Sequence, residues 1–173
     1  MSTLIAQIPV IETERLRLRA PKLADLEALT AFFASPRSEM VGGPLSALEA
    51  HRKLLTPFGA WSLRGHGMWH VANKDTDAYL GTTGVSFGPG WHEEELGWSV
   101  TEEAEGKGIA FEAAHAARGY AACNLSLNGM ISYIDPANTR SAALARRLGA
   151  TLEREDIFLD KPVHVYRHPK EDL

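Results

Sequence analysis

Three runs between residues 68 and 100, MWHVAN, YLGTTGVSF and EEELGWSV, read as strands separated by short polar or glycine-containing segments. Connections this short join only antiparallel neighbours, so the runs form a meander. The pattern then changes: GIAFEAAHAARGYAA reads as a helix and GMISYID as a strand. Strand, helix and strand in that order make a parallel crossover. A sheet that starts antiparallel and takes one parallel step in its middle is a narrow constraint. It sets the fold class as α/β in the α+β sense: one domain over residues 1–173, with a mixed, mostly antiparallel central sheet flanked by helices.

The rest of the chain fits around that sheet. Residues 15–19 alternate polar and apolar, and Arg15, Arg17 and Arg19 read as one solvated strand face. LADLEALTAFFAS spaces Leu23, Leu26, Leu29, Phe32 and Phe33 as a helix does. A second helix starts near Ser46 and is expected to be interrupted at Pro57 or Gly59. NTRSAALARRLGA is a further helix closed by Gly149. TLEREDIFL and VHVYRH form a hairpin expected to turn around Asp160, Lys161 and Pro162.

Charge and composition exclude several functions. The net charge of −4 and the dispersed basic residues argue against nucleic-acid binding. The single cysteine, Cys123, rules out an internal disulfide and a cysteine-based zinc cluster, and is expected to pack in the core. No metal site is expected: His66 and His70 are flanked by Gly65 and Gly67, and His164 and His168 have no acidic partner placed with them. MSTLIAQIPVIETERL has neither a basic start nor a long apolar core, and no run of about 18 apolar residues occurs. The expectation is a cytoplasmic protein without a membrane partner, monomeric or homodimeric.

The parallel step carries the stretch EEAEGKGIAFEAA, which places Gly106, Gly108 and Ala110 on alternate positions where a strand ends and a helix begins. A helix N-terminus has unpaired N–H groups and a positive dipole end, and glycine lets an anion approach the backbone. A tight turn with close helix–sheet packing would also favour small residues. A Walker loop fails, because Lys107 is followed by Gly108 and Ile109 rather than Ser or Thr. A dinucleotide fingerprint fails at its third glycine, which is Phe111. One strand later, DPANTRSAALARRLGA offers Asn138 as a helix cap with Ser141 in the first turn.

Together these segments resemble the GNAT superfamily of acetyl-CoA-dependent N-acetyltransferases, most closely the branch that includes the ribosomal-protein N-terminal acetyltransferases. IETERLRLRAPKLADLEAL is similar to the opening strand and helix of that branch, ELGWSVTEEAEGKGIAFEAA to its cofactor-binding strand, loop and helix, and DPANTRSAALARRLGA to its later helix. The resemblance implies that backbone amides of Gly106, Lys107, Gly108, Ile109 and Ala110 hold the coenzyme A diphosphate. It implies that Trp98, Ser99 and Val100 run along the pantetheine, that Asn138 hydrogen-bonds that arm, and that Ser141 lies near the sulfur. Glu105 stands where the family has other residues and is expected to point into solvent; Ala145 stands where the superfamily commonly has a tyrosine acid.

The implied reaction is direct attack of a primary amine, from a protein N-terminus or a small molecule, on the thioester in a ternary complex. A non-catalytic acyl-CoA-binding module on the same fold is the alternative. An α-amino group titrates at about 7.7–8.0 and a lysine at about 10.4, so an N-terminal amine needs less base assistance. Glu95 is the first candidate base, because it shares strand parity with Gly97 and Ser99; Glu94 and water are the competitors. A backbone N–H near Trp98 to Val100 would hold the oxyanion. Six acidic residues between 93 and 105 could draw a cationic acceptor. Trp61, Trp69 and Trp91 are candidate pocket walls, and residues 35–66 the acceptor-side loops.

Overall fold

The computed structural model describes residues 7–172; the opening residues of the segment read as lacking a leader, and the final residue, lie outside them. The elements are β1 (Ile11–Glu12), β2 (Leu16–Arg19), α1 (Leu26–Ala34), α2 (Ala47–Arg64), β3 (Met68–Asn73), β4 (Tyr79–Ser86), β5 (Glu95–Val100), α3 (Ile109–Leu125), β6 (Ile131–Ile134), α4 (Thr139–Arg147), β7 (Thr151–Phe158) and β8 (Lys161–Arg167). They form one 8-stranded sheet in the order β1-β2-β3-β4-β5-β6-β8-β7. Every neighbouring pair is antiparallel except β5 and β6. The expected architecture is therefore present, with β1 as an addition too short to show a period in the sequence.

Strand parity divides the chemistry between the two faces. Leu16, Leu18, Trp69, Val71, Val85 and Leu96 pack under α3, whose contacts are Ile109, Ala113, Ala117 and Ala121. The alanines keep this helix close to the sheet. On the opposite side, Leu29, Phe32 and Phe33 of α1 meet Ala50 and Leu54 of α2 and Tyr79 of β4. Trp61 and Trp69 are buried and meet edge to face at 4.7 Å, so both belong to the core, and neither lines the large cavity over β5.

Four local expectations are corrected. α2 runs unbroken through Pro57, although proline removes a donor there. A capping box of Ser46 and Glu49 starts the helix, and burial of Ala50, Leu54, Pro57 and Trp61 along one face outweighs the lost bond. The β7–β8 turn is Leu159–Asp160, both left-handed at φ 48° and 63°, which puts Lys161 and Pro162 in the strand. Cys123 is exposed.

Of the three arginines read as one solvated face, Arg15 is exposed and Arg17 partly so, but Arg19 is not. Arg19 is buried and donates to both Asp25 oxygens at 2.8 Å, and His70 Nδ1 lies 2.7 Å from Asp25 Oδ2. Burial alone would raise the Asp25 pKa; hydrogen bonds from Arg19, His70 and the Lys22 amide outweigh it and hold the carboxyl well below the usual range.

Candidate active site

β5 and β6 pair at a single position, Glu95 with Ile131, and then diverge. Backbone parity defines what faces the gap. Ile131 donates to the Glu94 carbonyl at 3.3 Å across it, whereas Thr101 donates to Leu80 of β4 at 2.9 Å. Even-numbered residues of β5 thus turn their backbone groups towards β6, and odd-numbered ones towards β4. Leu96 C=O in the gap is taken by Ser132 Oγ at 2.6 Å. Beyond it, the backbone groups of Trp98 and Val100 face a strand that has moved away. Of the three β5 residues expected along the pantetheine, Trp98 and Val100 present main chain to the gap. Ser99 does not: its backbone pairs with β4, and its hydroxyl meets Thr82 Oγ1 at 2.9 Å on the opposite face from α3.

The root of the gap is fixed by a short polar chain. Because Ser132 donates to Leu96, it accepts from His168 Nε2 at 2.9 Å, which makes His168 the Nε2–H tautomer. Its Nδ1 is buried without a partner. Burial, and then the positive charges of Arg118 and Arg167, push the His168 pKa down to about 4, so the ring is neutral.

The glycine loop closes the outer end of the gap. Gly106 and Gly108 adopt left-handed φ of 72° and 77°. A Cβ at Gly106 would meet nothing within 4 Å, and one at Gly108 only Arg15 Nη2 at 3.5 Å. Close packing therefore does not explain these glycines; the loop conformation requires them, and the space over them is open. The first backbone bond of α3 runs from Glu112 N–H to Gly108 C=O at 3.1 Å, which leaves the amides of Gly108, Ile109, Ala110 and Phe111 without helical partners. Arg15 donates to Lys107 C=O at 2.9 Å and pairs with Glu112 at 2.7 Å, so the loop is tied to β2 and its outward carbonyl is masked by a cation. This loop fits a diphosphate: a row of free amides, no obstructing side chain and a nearby guanidinium. Glu105 does not simply face solvent. Its carboxylate pairs with Arg37 and with Arg140 at the start of α4, which neutralise it beside the loop.

The facing wall is α4. Asn138 Oδ1 caps the helix by accepting from Ser141 N–H at 3.0 Å, as the cap reading required, and its Nδ2 remains available to a ligand. Asn138 and Ser141 both line the large cavity described next. Ala145 is fully buried against Ile134, Ala150 and Tyr166, so no larger acid fits there.

On the face opposite α3, a cavity of about 580 Å³ opens over β5. Glu95, Gly97 and Ser99 form its floor with Thr82 and Met68; Phe33, Lys53, Trp91 and Phe158 stand around it. Trp91 Nε1 donates to Glu95 Oε2 at 2.8 Å. Tyr133 stacks on Phe158 at 4.3 Å, and Trp91 meets the same ring edge to face at 4.7 Å. Burial among these rings raises the Glu95 pKa to about 7, against the opposing effects of the Trp91 donor, the Tyr133 amide and the Lys53 charge. Glu94 does not line the cavity. The acidic segment supplies one cavity carboxylate rather than six: Glu93 is bound by Arg167 at 2.6 Å, and Glu105 by its two arginines. Among the described residues no cluster of three His, Cys, Asp or Glu could hold a metal ion, and no helix is long and apolar enough to cross a membrane.

Sequence periodicity could not reveal Trp91 as the Glu95 partner, nor Lys53, Tyr133 and Phe158 as its surroundings, because they converge from loops and from α2, β6 and β7. The Ser132–His168 pair had one signal, a serine between Ile131 and Tyr133 in an otherwise apolar run; His168, between Arg167 and Pro169, carried none.

Comparison with known proteins agrees with this fold. A solved acetyltransferase from Agrobacterium tumefaciens is 38% identical, with a TM-score of 0.85 over 98% of this chain and 99% of that one. An uncharacterised N-acetyltransferase, p20, of Bacillus licheniformis is 28% identical over 86% of this chain and 84% of its own length. RimL, a ribosomal L7/L12 α-N-protein acetyltransferase solved with coenzyme A, shares the fold at a TM-score of 0.76 over 94% of this chain and 98% of that one, with 19% identity. The family model for the acetyltransferase (GNAT) domain matches residues 15–151, and the chain belongs to that family.

Proposed function

We propose that this acetyltransferase moves an acetyl group from acetyl-CoA to a primary amine, of a protein N-terminus or a small molecule, by direct attack in a ternary complex. The observation that carries the reading is the gap between β5 and β6, which sets the free backbone of Trp98 and Val100 beside the raised-pKa carboxylate of Glu95.

Acetyl-CoA supplies the activated thioester. The amides of Gly108 to Phe111, with those of Gly106 and Lys107, bind its diphosphate at the α3 N-terminus. Trp98 and Val100 pair with the pantetheine as a strand edge would, and Asn138 Nδ2 donates to it. Glu95 takes the proton of the incoming ammonium. A base near 7 is matched to an α-amine of about 8 better than to a lysine of about 10.4. Trp98 N–H donates to the carbonyl oxygen as charge develops there. Ser141 Oγ, with no protein partner among the described residues, donates to the departing sulfur.

Calorimetric titration with acetyl-CoA, followed by thiol release over a panel of amines and short peptides, tests the reading. Binding with amine-dependent thiol release is expected; absence of acetyl-CoA binding overturns it. At 100 times Kd the ligand should stabilise the fold by about 2.7 kcal/mol.

A further inference from the structure

β4 and β5 contain three glycines on this sheet, and two are demanded by the fold. A Cβ at Gly81 would lie 2.1 Å from Ser99 O, and one at Gly84 2.5 Å from Gly67 O. Gly97 is different. Its φ lies outside the left-handed region, and a Cβ there would meet only Met68 Cε, at an ordinary 3.8 Å. Neither its backbone conformation nor its packing calls for glycine. Glycine inside a strand also weakens it, through chain entropy and a missing side chain.

What Gly97 does have is position. It lies on the cavity floor between Glu95 and Ser99. Same-face residues of a strand are about 6.6–6.8 Å apart, so the space over Gly97 is one step from the Glu95 carboxylate. It also directly precedes Trp98, whose N–H faces the gap. A nitrogen attacking a carbonyl held at Trp98 while losing its proton to Glu95 has to pass over Gly97.

We propose that Gly97 is the specificity-determining residue of the acceptor subsite: the open space over its Cα receives the carbon that bears the nucleophilic amine, and its width sets how large a substituent that carbon can carry. The inference rests on the acetyltransfer reading above and concerns amines on a substituted carbon, of which α-amino groups are the common kind. The residue is kept small for the acceptor at the expense of the strand.

The test uses Gly97→Ala and Gly97→Val with glycinamide, alaninamide and valinamide, which differ only at the carbon next to the amine. Both variants should melt at or above the parental temperature, because either residue restricts the unfolded chain more than glycine does and valine also suits a strand. Both should bind coenzyme A within about twofold of the parent. Gly97→Ala should lower kcat/KM for valinamide relative to glycinamide by about tenfold or more, the scale on which a methyl-sized change in a pocket discriminates. Gly97→Val should lower it for all three. A melting temperature several degrees below the parent in Gly97→Ala would show that the fold needs the glycine and would overturn the proposal. So would an unchanged acceptor profile, or a parent that binds acetyl-CoA but turns over none of the three amides. A parent that does not bind acetyl-CoA refutes the acetyltransfer reading itself, while the melting arm still reads Gly97.

Discussion

Replacing Glu95 by Gln should make the protein more stable and less active, with the stability change confined to one pH range. The glutamine keeps an oxygen acceptor for Trp91 Nε1, which now donates at 2.8 Å, and removes the ionisation. Burial holds the Glu95 pKa at about 7 against an ordinary 4.5, so between those values the folded chain binds more protons than the unfolded one. Stability attributable to this group is therefore lost as pH rises from 4.5 to 7. That interval corresponds to about 3 kcal/mol. At pH 5, near the foot of that interval, the variant should melt only roughly 2–3 °C higher than the parent. At pH 8 the variant should melt higher, by roughly 6–12 °C for a domain of this size. In turnover, the parent's kcat/KM should rise with pH through an apparent pKa near 7 and then level; the variant should lose that inflection and about 10²–10⁴-fold in rate. Differential scanning calorimetry at the two pH values and a pH–rate profile read both effects. A melting difference that is the same at pH 5 and pH 8 would refute the desolvated carboxylate, and an unchanged pH inflection in the variant would remove Glu95 as the base.

His168 works in the opposite direction: its folded pKa of about 4 lies below an ordinary 6.5, so the stability it contributes is present above 6.5 and is lost as pH falls towards 4. Denaturant titrations of the parent and His168→Asn at pH 7 and 4.5 should show the variant losing less on acidification; equal losses would contradict the buried neutral ring. Ser141→Ala should lower kcat with acetyl-CoA affinity nearly unchanged, whereas Asn138→Ala should weaken binding and also cost about 1 kcal/mol through the lost cap; full turnover by a folded Ser141→Ala enzyme leaves solvent as the acid. Gly108→Val should unfold more easily than the parent, because φ is 77° there, so thermal melts must accompany any binding measurement on it.

The antiparallel meander, the parallel step and the closing hairpin were legible because each depends on local pattern, whereas the insertion of β8 between β6 and β7 was not. Strand alternation, connection length and a Gly-Lys-Gly segment before an alanine-rich helix need no knowledge of distant residues. Glu95 was legible by parity with Gly97 and Ser99. The errors share a cause. Arg19 looks solvated in an alternating strand until Asp25 and His70 gather around it in the interior. Pro57 looks like a helix end until tertiary burial of its face is counted. Glu105 looks unfavourable beside an anion site until Arg37 and Arg140 are seen to converge on it. Gly97 could be read as a strand glycine like its neighbours; only coordinates separate it from Gly81 and Gly84.

The single residue pair between β5 and β6 also has a mechanical meaning. It divides one sheet into two plates, β1–β5 and β6–β8, that share a hinge one residue long, stiffened by the Ser132 hydroxyl. In the proposed binding mode, with one edge against β5 and the other against α4, a pantetheine lying in the gap would act as a rivet between the plates. Occupancy would then be felt on both plates at once: amide exchange in β4 and in β8, strands that do not pair with each other, should slow together when the ligand binds.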